Sequence, residues 1–428
     1  MVPKARSITN PSQVSNVDDA NQESYYYFPS PDGYYYLSPD ARQNLPKYQY
    51  RGADHSLLYH YVLSPLAGWC VDHLVPTTVA PNSITLFGLV WMVTSYSLYW
   101  YFVPTLEIVQ EPPRWIFLWN AIAMLAYQTL DNMDGKQARR TKSSSPLGLL
   151  FDHGCDAINS IFGSANWIIG MALIPSQNLW QCWALVFGPF AMFYIATWEQ
   201  YYTGELIMPI VNGPNEGLMG GALLSLTSWW LGPNFWQGTE WYEGLQTILP
   251  LPVVLRNCDF VVLAASLGFV QEILIKSLSV TRKYSGSLQA LLPFAILSSC
   301  FFLIGYWEPN VWLSLPRTSL HLAMLLFVEM STELMLAHVT AQAFVPRWHV
   351  IPLVALTIAV ATLGDVVSYW IVAYTWSLAA YLVFKIVLVI REICSTLQIW
   401  CFDIVTPYHD QGNAHPFDGR SHDSKKQE

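Results

Sequence analysis

Long apolar stretches separated by short polar segments dominate the chain from about residue 83 onward. A helix that crosses the hydrocarbon core of a bilayer needs roughly 20 mostly apolar residues. Ten stretches fit this pattern, and they predict spanning helices over 83–104, 115–133, 147–174, 179–198, 217–235, 257–278, 286–307, 318–343, 349–364 and 367–392. The predicted fold class is therefore an all-α polytopic membrane protein with about ten transmembrane helices.

The segments outside these stretches are more polar. Residues 54–75 mix apolar residues with Asp and His, which favours an N-terminal amphipathic helix lying in the membrane interface over a further span. We divide the chain into a polar, largely disordered segment (1–45), an interfacial segment (46–78), a six-helix core (79–278), additional transmembrane helices that form a lipid path or a dimer contact (279–402) and a polar tail (403–428).

Composition supports a membrane protein. Hydrophobic residues make up 53% of the chain and charged residues only 12%, whereas a soluble globular protein carries about 25% charged residues. The net charge of −9 argues against a nucleic-acid partner, which requires a basic surface.

The distribution of Lys and Arg predicts the orientation, because basic residues concentrate on the cytosolic side. With residue 1 in the cytosol, ten spans return the C-terminus to the cytosol. Of the 21 basic residues, only Arg114, Arg256 and Arg317 would then be lumenal, and the other 18 cytosolic. Lys276 and Lys385, inside predicted spans, are expected to extend to the cytosolic interface.

The most charged part of the core is the stretch DNMDGKQARRTKSSSPLGLLFDHGCDA, residues 131–157. Asp131 and Asp134 are three residues apart and Asp152 and Asp156 four apart, so each pair shares one face of a helix. Two adjacent helices can thus direct four carboxylates at one spot, where they repel each other unless cations bind. Oxygen ligands suit Mg²⁺ or Mn²⁺, and two such ions can hold a phosphoryl group.

The residues between these aspartates fit phosphate chemistry. Gly135 and Ala138 would let a ligand approach the helix backbone, and four basic residues supply positive charge: Lys136, Arg139, Arg140 and Lys142. The alternative is a solvated charged loop with Arg–Asp pairs. The whole pattern favours phosphoryl transfer at a membrane surface.

These residues also resemble a known family. The pattern D-x-x-D-G-x-x-A-R, eight residues, then G-x-x-x-D-x-x-x-D is the signature of the CDP-alcohol phosphotransferases. It is matched here by Asp131, Asp134, Gly135, Ala138, Arg139, Gly148, Asp152 and Asp156. The segments PKYQYRGADHSLLYHYVLSPL, VAPNSIT, TWEQYYTGEL and NGPNEGL are similar to the eukaryotic choline/ethanolamine phosphotransferases, and Leu149 departs from an expected acidic residue. The resemblance covers about 45–400.

The resemblance implies a homodimer of ten-helix subunits with a site that faces the cytosol in the first six helices. It implies transfer of phosphocholine or phosphoethanolamine from CDP-choline or CDP-ethanolamine to the hydroxyl of diacylglycerol, with release of CMP and the phospholipid. Mg²⁺ or Mn²⁺ is required, with two ions expected. It also implies a location in the membrane of the endoplasmic reticulum or Golgi apparatus.

Roles follow from the resemblance for individual residues. The metal ligands would be Asp131, Asp134, Asp152 and Asp156. Asp156 is also the favoured base for the diacylglycerol hydroxyl, and His153 is the competing base. The CDP group would be bound by Gly135, Ala138, Arg139 and Gly148, with Asn82 and Thr85 reaching it from the first span. Asn82 after Pro81 could instead be a helix cap.

Several acidic residues keep two interpretations. Glu216 and Glu199 could contact the headgroup or nucleotide, but Glu216 could also cap a helix. Glu199 lies beside aromatic residues typical of a membrane-interface belt. Glu329 and Glu333 lie inside a predicted span and are expected to face the bundle interior.

Two other function classes compete with the enzyme. A multi-span transporter with a cytosolic divalent-cation site would show internal repeats and broken helices, and no convincing repeat is found. A non-catalytic scaffold would be expected to lack a motif aspartate, and all four are present. The sequence leaves open whether the donor carries choline, ethanolamine or either.

Overall fold

The computed structural model describes residues 33–246, 248, 252–345, 348–363 and 368–408. Within these residues the chain forms fourteen α-helices, connected by short turns. They are α1 (Pro39–Asn44), α2 (Ser64–Leu74), α3 (Pro81–Phe102), α4 (Trp115–Thr141), α5 (Pro146–Gly170), α6 (Leu179–Thr203), α7 (Leu218–Leu231), α8 (Glu240–Gln246), α9 (Asn257–Thr281), α10 (Leu292–Trp307), α11 (Asn310–Leu313), α12 (Pro316–Thr340), α13 (Ile351–Leu363) and α14 (Ser368–Leu397).

Each of the ten predicted spans coincides with one of the longer helices. Length and apolar composition alone identify four segments able to cross a membrane: Leu179–Thr203, Asn257–Thr281, Ser287–Trp307 and Pro316–Thr340. The all-α membrane fold predicted from the hydrophobic pattern is confirmed.

Buried hydrogen bonds join the helices of the first half. Asn120 of α4 donates to Ser225 of α7 at 2.7 Å, and its amide oxygen accepts from Ser95 of α3 and Asn166 of α5, both at 2.7 Å. Polar side chains inside a membrane bundle pair with one another because lipid offers no partner. This cluster therefore fixes α3, α5 and α7 around α4, which carries half of the aspartates.

The interfacial segment is helical over most of the predicted range. Residues 57–74 form one continuous helix, which contains a π-helical turn (Tyr59–Leu63) and ends with α2, and a short strand β1 (Gly52–Asp54) precedes it. The strand β1 pairs in parallel with β2 (Leu206–Met208), just after α6. This pairing holds the segment against the same end of the bundle as the aspartates.

Part of the N-terminal segment predicted to be disordered is folded. The carboxylate of Glu392 in α14 accepts hydrogen bonds from the backbone nitrogens of Tyr35, Tyr36 and Leu37 at 2.7, 3.0 and 2.8 Å. Leu37 and the α1 residue Ala41 are also buried. The predicted disorder of residues 1–32 and the predicted mobile tail from 409 onward lie outside the described residues.

The prediction that Lys276 and Lys385 extend to the interface is wrong. Lys276 lies 2.5 Å from Glu199 and 3.9 Å from Glu272, and Lys385 forms ion pairs with Glu329 and Glu333. Both lysines are buried, because carboxylates on neighbouring helices replace the water that each ammonium would otherwise seek. The acidic pair of α12 faces the bundle interior, as expected.

Candidate active site

A tight turn between α4 and α5 brings the four aspartates together. Lys142 ends α4 in the left-handed conformation, with φ of 57°, and the nitrogen of Ser143 bonds back to the carbonyl of Ala138 at 2.9 Å. Ser145 then caps α5, its Oγ accepting from the nitrogen of Gly148 at 3.2 Å. The two helices are therefore antiparallel, and the last turns of α4 lie beside the first turns of α5.

Three aspartates form a compact carboxylate cluster. One oxygen each from Asp131, Asp152 and Asp156 lies within 4.8 Å of the other two. The Oδ1 atoms of Asp131 and Asp152 are buried and have no hydrogen-bond partner among the described residues. Buried, unpartnered oxygens of like charge are costly, and a hard divalent cation would satisfy them. The donor set therefore fits Mg²⁺ or Mn²⁺.

Asp134 lies beside this cluster but is partly engaged elsewhere. The hydroxyl of Thr85 in α3 donates to its Oδ2, and the Asp134 side chain is buried. Asp134 still interacts electrostatically with Asp131 and Asp152. The hydroxyl of Thr85 therefore orients a carboxylate, and its predicted contact with the nucleotide stays a prediction.

Tyr127 is a site residue that the sequence analysis missed. Its hydroxyl donates to Oδ1 of Asp156 at 2.5 Å, and the ring is buried in the helical core. The spacing could have indicated this residue, because Tyr127 lies one helical turn before Asp131 on the same face of α4. A tyrosine amid apolar residues was not distinguishable from a packing residue.

His153 is directed away from the hydroxyl that orients Asp156. Its ring packs edge-on against Phe193 of α6, with centroids 6.2 Å apart, and it interacts electrostatically with His338 of α12. Its Nδ1 is buried and has no hydrogen-bond partner among the described residues. His153 therefore faces α6 and α12, whereas Asp156 faces α4.

The basic residues of the motif divide into two groups. Lys136 donates to Ser64 at 2.9 Å and Arg140 to the carbonyls of Val71 and Val75, so both hold α2 against α4. Partial burial, and then the nearby charge of Arg139, lower the pKa of Lys136. Arg139 itself is exposed.

Arg139 lies next to the glycine of the motif. A Cβ atom added at Gly135 would lie 3.4 Å from its Nη1, and Ala138 lies between the two on the same helix. The guanidinium therefore extends along the face of α4 that carries the small residues, where an anionic ligand could approach it.

Asn82 and Gly148 face each other across the start of α3 and α5. A Cβ atom added at Gly148 would lie 3.7 Å from Oδ1 of Asn82. The Nδ2 of Asn82 donates to the backbone carbonyl of Cys401, after α14, at 2.9 Å. Asn82 is thus held by a residue more than 300 positions away in the chain. Its side chain forms no N-terminal cap for α3.

The predicted headgroup residues have structural partners. Ser56 donates to Oε1 of Glu216 at 2.5 Å, and the nitrogen of Asn212 donates to Oε2 at 2.9 Å. Glu216 therefore joins the interfacial segment to the start of α7. Glu199 is buried in its ion pair with Lys276.

Tyr50 is a second residue that sequence analysis did not select. Its side chain is half-exposed, at 52%, but the surrounding protein still removes enough solvent to raise its pKa. The negative charge of Asp152 adds to this effect, and the pKa reaches about 12. Tyr50, just before β1, therefore lies near enough to the carboxylate cluster to be influenced by the charge of Asp152.

The comparisons with known proteins agree with this geometry. The sequence model of the CDP-alcohol phosphatidyltransferase family matches residues 78–249. The chain is 33% identical over 401 residues to choline/ethanolaminephosphotransferase 1 of Arabidopsis thaliana, covering 86% of this chain and 98% of the relative. The protein of the same name from Saccharomyces cerevisiae is 32% identical over 299 residues, covering 64% and 72%.

A third relative extends the comparison to vertebrates. Cholinephosphotransferase 1 of Gallus gallus is 37% identical over 210 residues, covering 49% of this chain and 61% of the relative. The family match includes the carboxylate cluster, and the plant relative aligns along nearly its whole length. The chain belongs to the CDP-alcohol phosphatidyltransferase family.

Proposed function

We propose that the chain transfers phosphocholine or phosphoethanolamine from its CDP derivative to diacylglycerol, giving phosphatidylcholine or phosphatidylethanolamine. The diacylglycerol oxygen forms a bond to the β-phosphorus of the donor, and the bond from that phosphorus to the bridging oxygen breaks. CMP leaves with the bridging oxygen. The observation that carries the proposal is the carboxylate cluster of Asp131, Asp152 and Asp156, with its two unpartnered oxygens, in a membrane protein of this family.

Asp131, Asp152 and Asp156, with Asp134 beside them, would hold two Mg²⁺ or Mn²⁺ ions. When bound, the ions would neutralise the carboxylates and the charge that develops on the phosphoryl oxygens. The hydroxyl of Thr85 keeps one oxygen of Asp134 oriented.

Asp156 is the proposed base, and it accepts the proton of the diacylglycerol hydroxyl. Tyr127 supports this role, because its 2.5 Å hydrogen bond holds one oxygen and leaves the other directed at the cluster. His153 is the competing base, and its contacts with α6 and α12 weigh against it.

The donor would bind along the start of α5 and the end of α4. Arg139 is exposed and its guanidinium makes no hydrogen bond among the described residues, and it would pair with the diphosphate. Gly135, Ala138 and Gly148 leave room for its approach to the helix backbones, and Asn82 offers an amide to the nucleotide. Arg140 and Lys136 are excluded from this role by their hydrogen bonds to α2.

We place the site on the cytosolic face of the endoplasmic reticulum or Golgi membrane, with both termini cytosolic. The bias of basic residues toward that side supports this orientation, since only Arg114, Arg256 and Arg317 fall on the other side. A homodimer is proposed from the family resemblance.

The test uses purified protein in detergent–lipid micelles with diacylglycerol and Mg²⁺. Radiolabelled CDP-choline and CDP-ethanolamine are supplied in parallel, and lipid-soluble label and CMP are measured. Equal amounts of labelled lipid and CMP are expected. Labelled lipid from only one donor would identify the headgroup that the enzyme transfers. Labelled lipid from both would show that it uses both donors. EDTA should abolish transfer, and Mg²⁺ or Mn²⁺ should restore it.

The matched variants are Asp131→Asn and Asp40→Asn. Asp131→Asn removes one member of the cluster and should lower turnover by more than about 100-fold. Asp40 is exposed on α1, and its variant should retain activity. Absence of labelled lipid from both donors, with either metal, would contradict the proposal and favour the transporter or scaffold.

A further inference from the structure

The chain beyond α14 folds back toward the site as a defined segment, residues 398–408, here called the C-terminal segment. Gln398 leaves the helix in the left-handed conformation, with φ of 56°, and the nitrogen of Ile399 bonds to the carbonyl of Cys394 at 3.1 Å. Asp403 then accepts from the nitrogens of Val405 and Thr406 at 2.8 and 3.0 Å. These bonds give the segment a fixed path.

Two contacts bring the C-terminal segment to the proposed donor site. The ring of Phe402 packs edge-on against Phe151 of α5, with centroids 5.4 Å apart. The backbone carbonyl of Cys401 accepts from Nδ2 of Asn82 at 2.9 Å, and the Cys401 sulfur lies 3.6 Å from the same nitrogen. Asn82 is buried, with 8% of its surface exposed.

The chemistry of this contact fixes which end of the amide faces the site. A backbone carbonyl only accepts hydrogen bonds, so Asn82 must direct its NH₂ group at Cys401. Its amide oxygen is then turned toward Gly148, where an added Cβ atom would lie 3.7 Å away. Within the described part of the chain, no group donates a hydrogen bond to this oxygen.

We propose that the C-terminal segment positions Asn82 so that the donor site presents a hydrogen-bond acceptor, and not a donor, to the base of the nucleotide. The inference rests on the proposed function and deepens it. Cytosine carries an amino group at the position where uracil carries a carbonyl oxygen. An asparagine held with its oxygen toward the base accepts from cytosine and repels uracil, whereas a freely rotating one could pair with either.

The experiment compares binding of CMP and UMP to the full-length protein in micelles with Mg²⁺, by calorimetry. In the main variant, residues 398–408 are replaced by a Gly-Ser sequence of equal length, which keeps the tail from 409. The unaltered protein should prefer CMP. The replacement should weaken CMP binding on the order of tenfold. The ratio of the affinities for CMP and UMP should then be close to one. Turnover at saturating donor should be retained.

A second set of variants separates positioning from general damage. Asn82→Ala should lose the CMP preference, and the replacement should add nothing on that background, because both changes remove the same oriented oxygen. Phe402→Ser, at a half-exposed position, should shift the ratio of CMP to UMP affinity in the same direction by a smaller factor. Melting temperatures check that each variant is folded.

An unchanged preference for CMP over UMP, both when residues 398–408 are replaced and in Phe402→Ser, would overturn the inference. The proposed transferase function would be unaffected by that result. The inference would also be overturned if replacing residues 398–408 weakened CMP binding further in the Asn82→Ala variant. Failure of the unaltered protein to bind CMP in the presence of Mg²⁺ would instead overturn the proposed function, and this inference with it.

Discussion

Tyr127 and Tyr99 are both buried in the helical core, and they differ in what their hydroxyl groups contact. The Tyr127 hydroxyl donates to Asp156, whereas the Tyr99 hydroxyl has no hydrogen-bond partner among the described residues. A hydrogen bond to a charged group contributes about 1.5–3 kcal/mol. We expect Tyr127→Phe to lower kcat roughly ten- to 100-fold, with the KM for the donor little changed.

Tyr99→Phe is the matched control for that substitution. It removes the same atom from an equally buried ring and should leave turnover unchanged, with a melting temperature equal to or above that of the unaltered protein. Equal activity losses in the two variants would mean that the hydroxyl of Tyr127 has no special role at Asp156. Steady-state kinetics with labelled donor make the comparison.

The identity of the base is the second prediction at this scale. Asp156→Asn should lower kcat by about 10²–10⁴, the usual contribution of a general base, whereas His153→Gln should remain within about tenfold of the unaltered protein. Because Asp156 is also a proposed metal ligand, Mn²⁺ binding is measured in each variant by electron paramagnetic resonance, and kcat is compared at saturating Mn²⁺. The reverse order of effects would assign the proton transfer to His153.

At the scale of single residues, periodicity predicted the carboxylates but not their partners. Asp152 and Asp156 share a helix face by spacing alone, so the sequence places them together. Thr85 and Cys401 bond to Asp134 and Asn82 across long stretches of chain, and no local pattern encodes such a contact. The role of Tyr127 was not predicted, because an aromatic residue at that position is equally expected for packing in a helical core.

Helix α2 and the end of α4 provide the prediction at the scale of elements. Both arginines are exposed, but Arg140 donates to two carbonyls at the end of α2, whereas Arg139 lies beside Gly135. Arg140→Gln should lower the melting temperature by about 2 °C with donor KM nearly unchanged. Arg139→Gln should raise donor KM about tenfold without a change in melting temperature.

The comparison is internally controlled, because the two arginines are adjacent and each variant serves as reference for the other. A rise in donor KM for Arg140→Gln equal to that for Arg139→Gln would contradict the division of the motif into ligand-binding and structural cations. Thermal unfolding and donor titration on the same preparations provide the two measurements.

The ten longer helices that coincide with the predicted spans were predictable because each carries its own run of apolar residues. The strand pair β1–β2 was not, since each strand has only three residues and its partner lies about 150 residues away. The interfacial helix, predicted over 54–75, is observed over 57–74, and it begins later than predicted because Asp54 belongs to β1.

The buried ion pairs between α12 and α14 matter for the whole molecule. Lys385 pairs with both Glu329 and Glu333, so Lys385→Met should remove the ammonium shared by two buried carboxylates, while the 3.5 Å contact of His349 with Glu329 remains. Breaking a buried pair in this way costs about 3–5 kcal/mol. We expect a large fall in melting temperature, measured in detergent–lipid micelles.

Lys283→Met is the control, because Lys283 is exposed at the end of α9. The triple variant Glu329→Gln, Glu333→Gln and Lys385→Met should recover much of the lost stability, since neutral groups need no counter-charge. A melting temperature unchanged by Lys385→Met would show that the ion pairs do not join α14 to the bundle.

The hydrogen bonds from Tyr35, Tyr36 and Leu37 to Glu392 set an order of events during synthesis. The partners are up to 357 residues apart, so these hydrogen bonds cannot form until α14 has left the ribosome. Leu37 and Ala41 also share a buried cluster with Leu336 and Val339 of α12, so the bonds to Glu392 complete a contact that α12 begins. A chain that stops before residue 392 would carry every motif aspartate and still lack the three hydrogen bonds to Glu392.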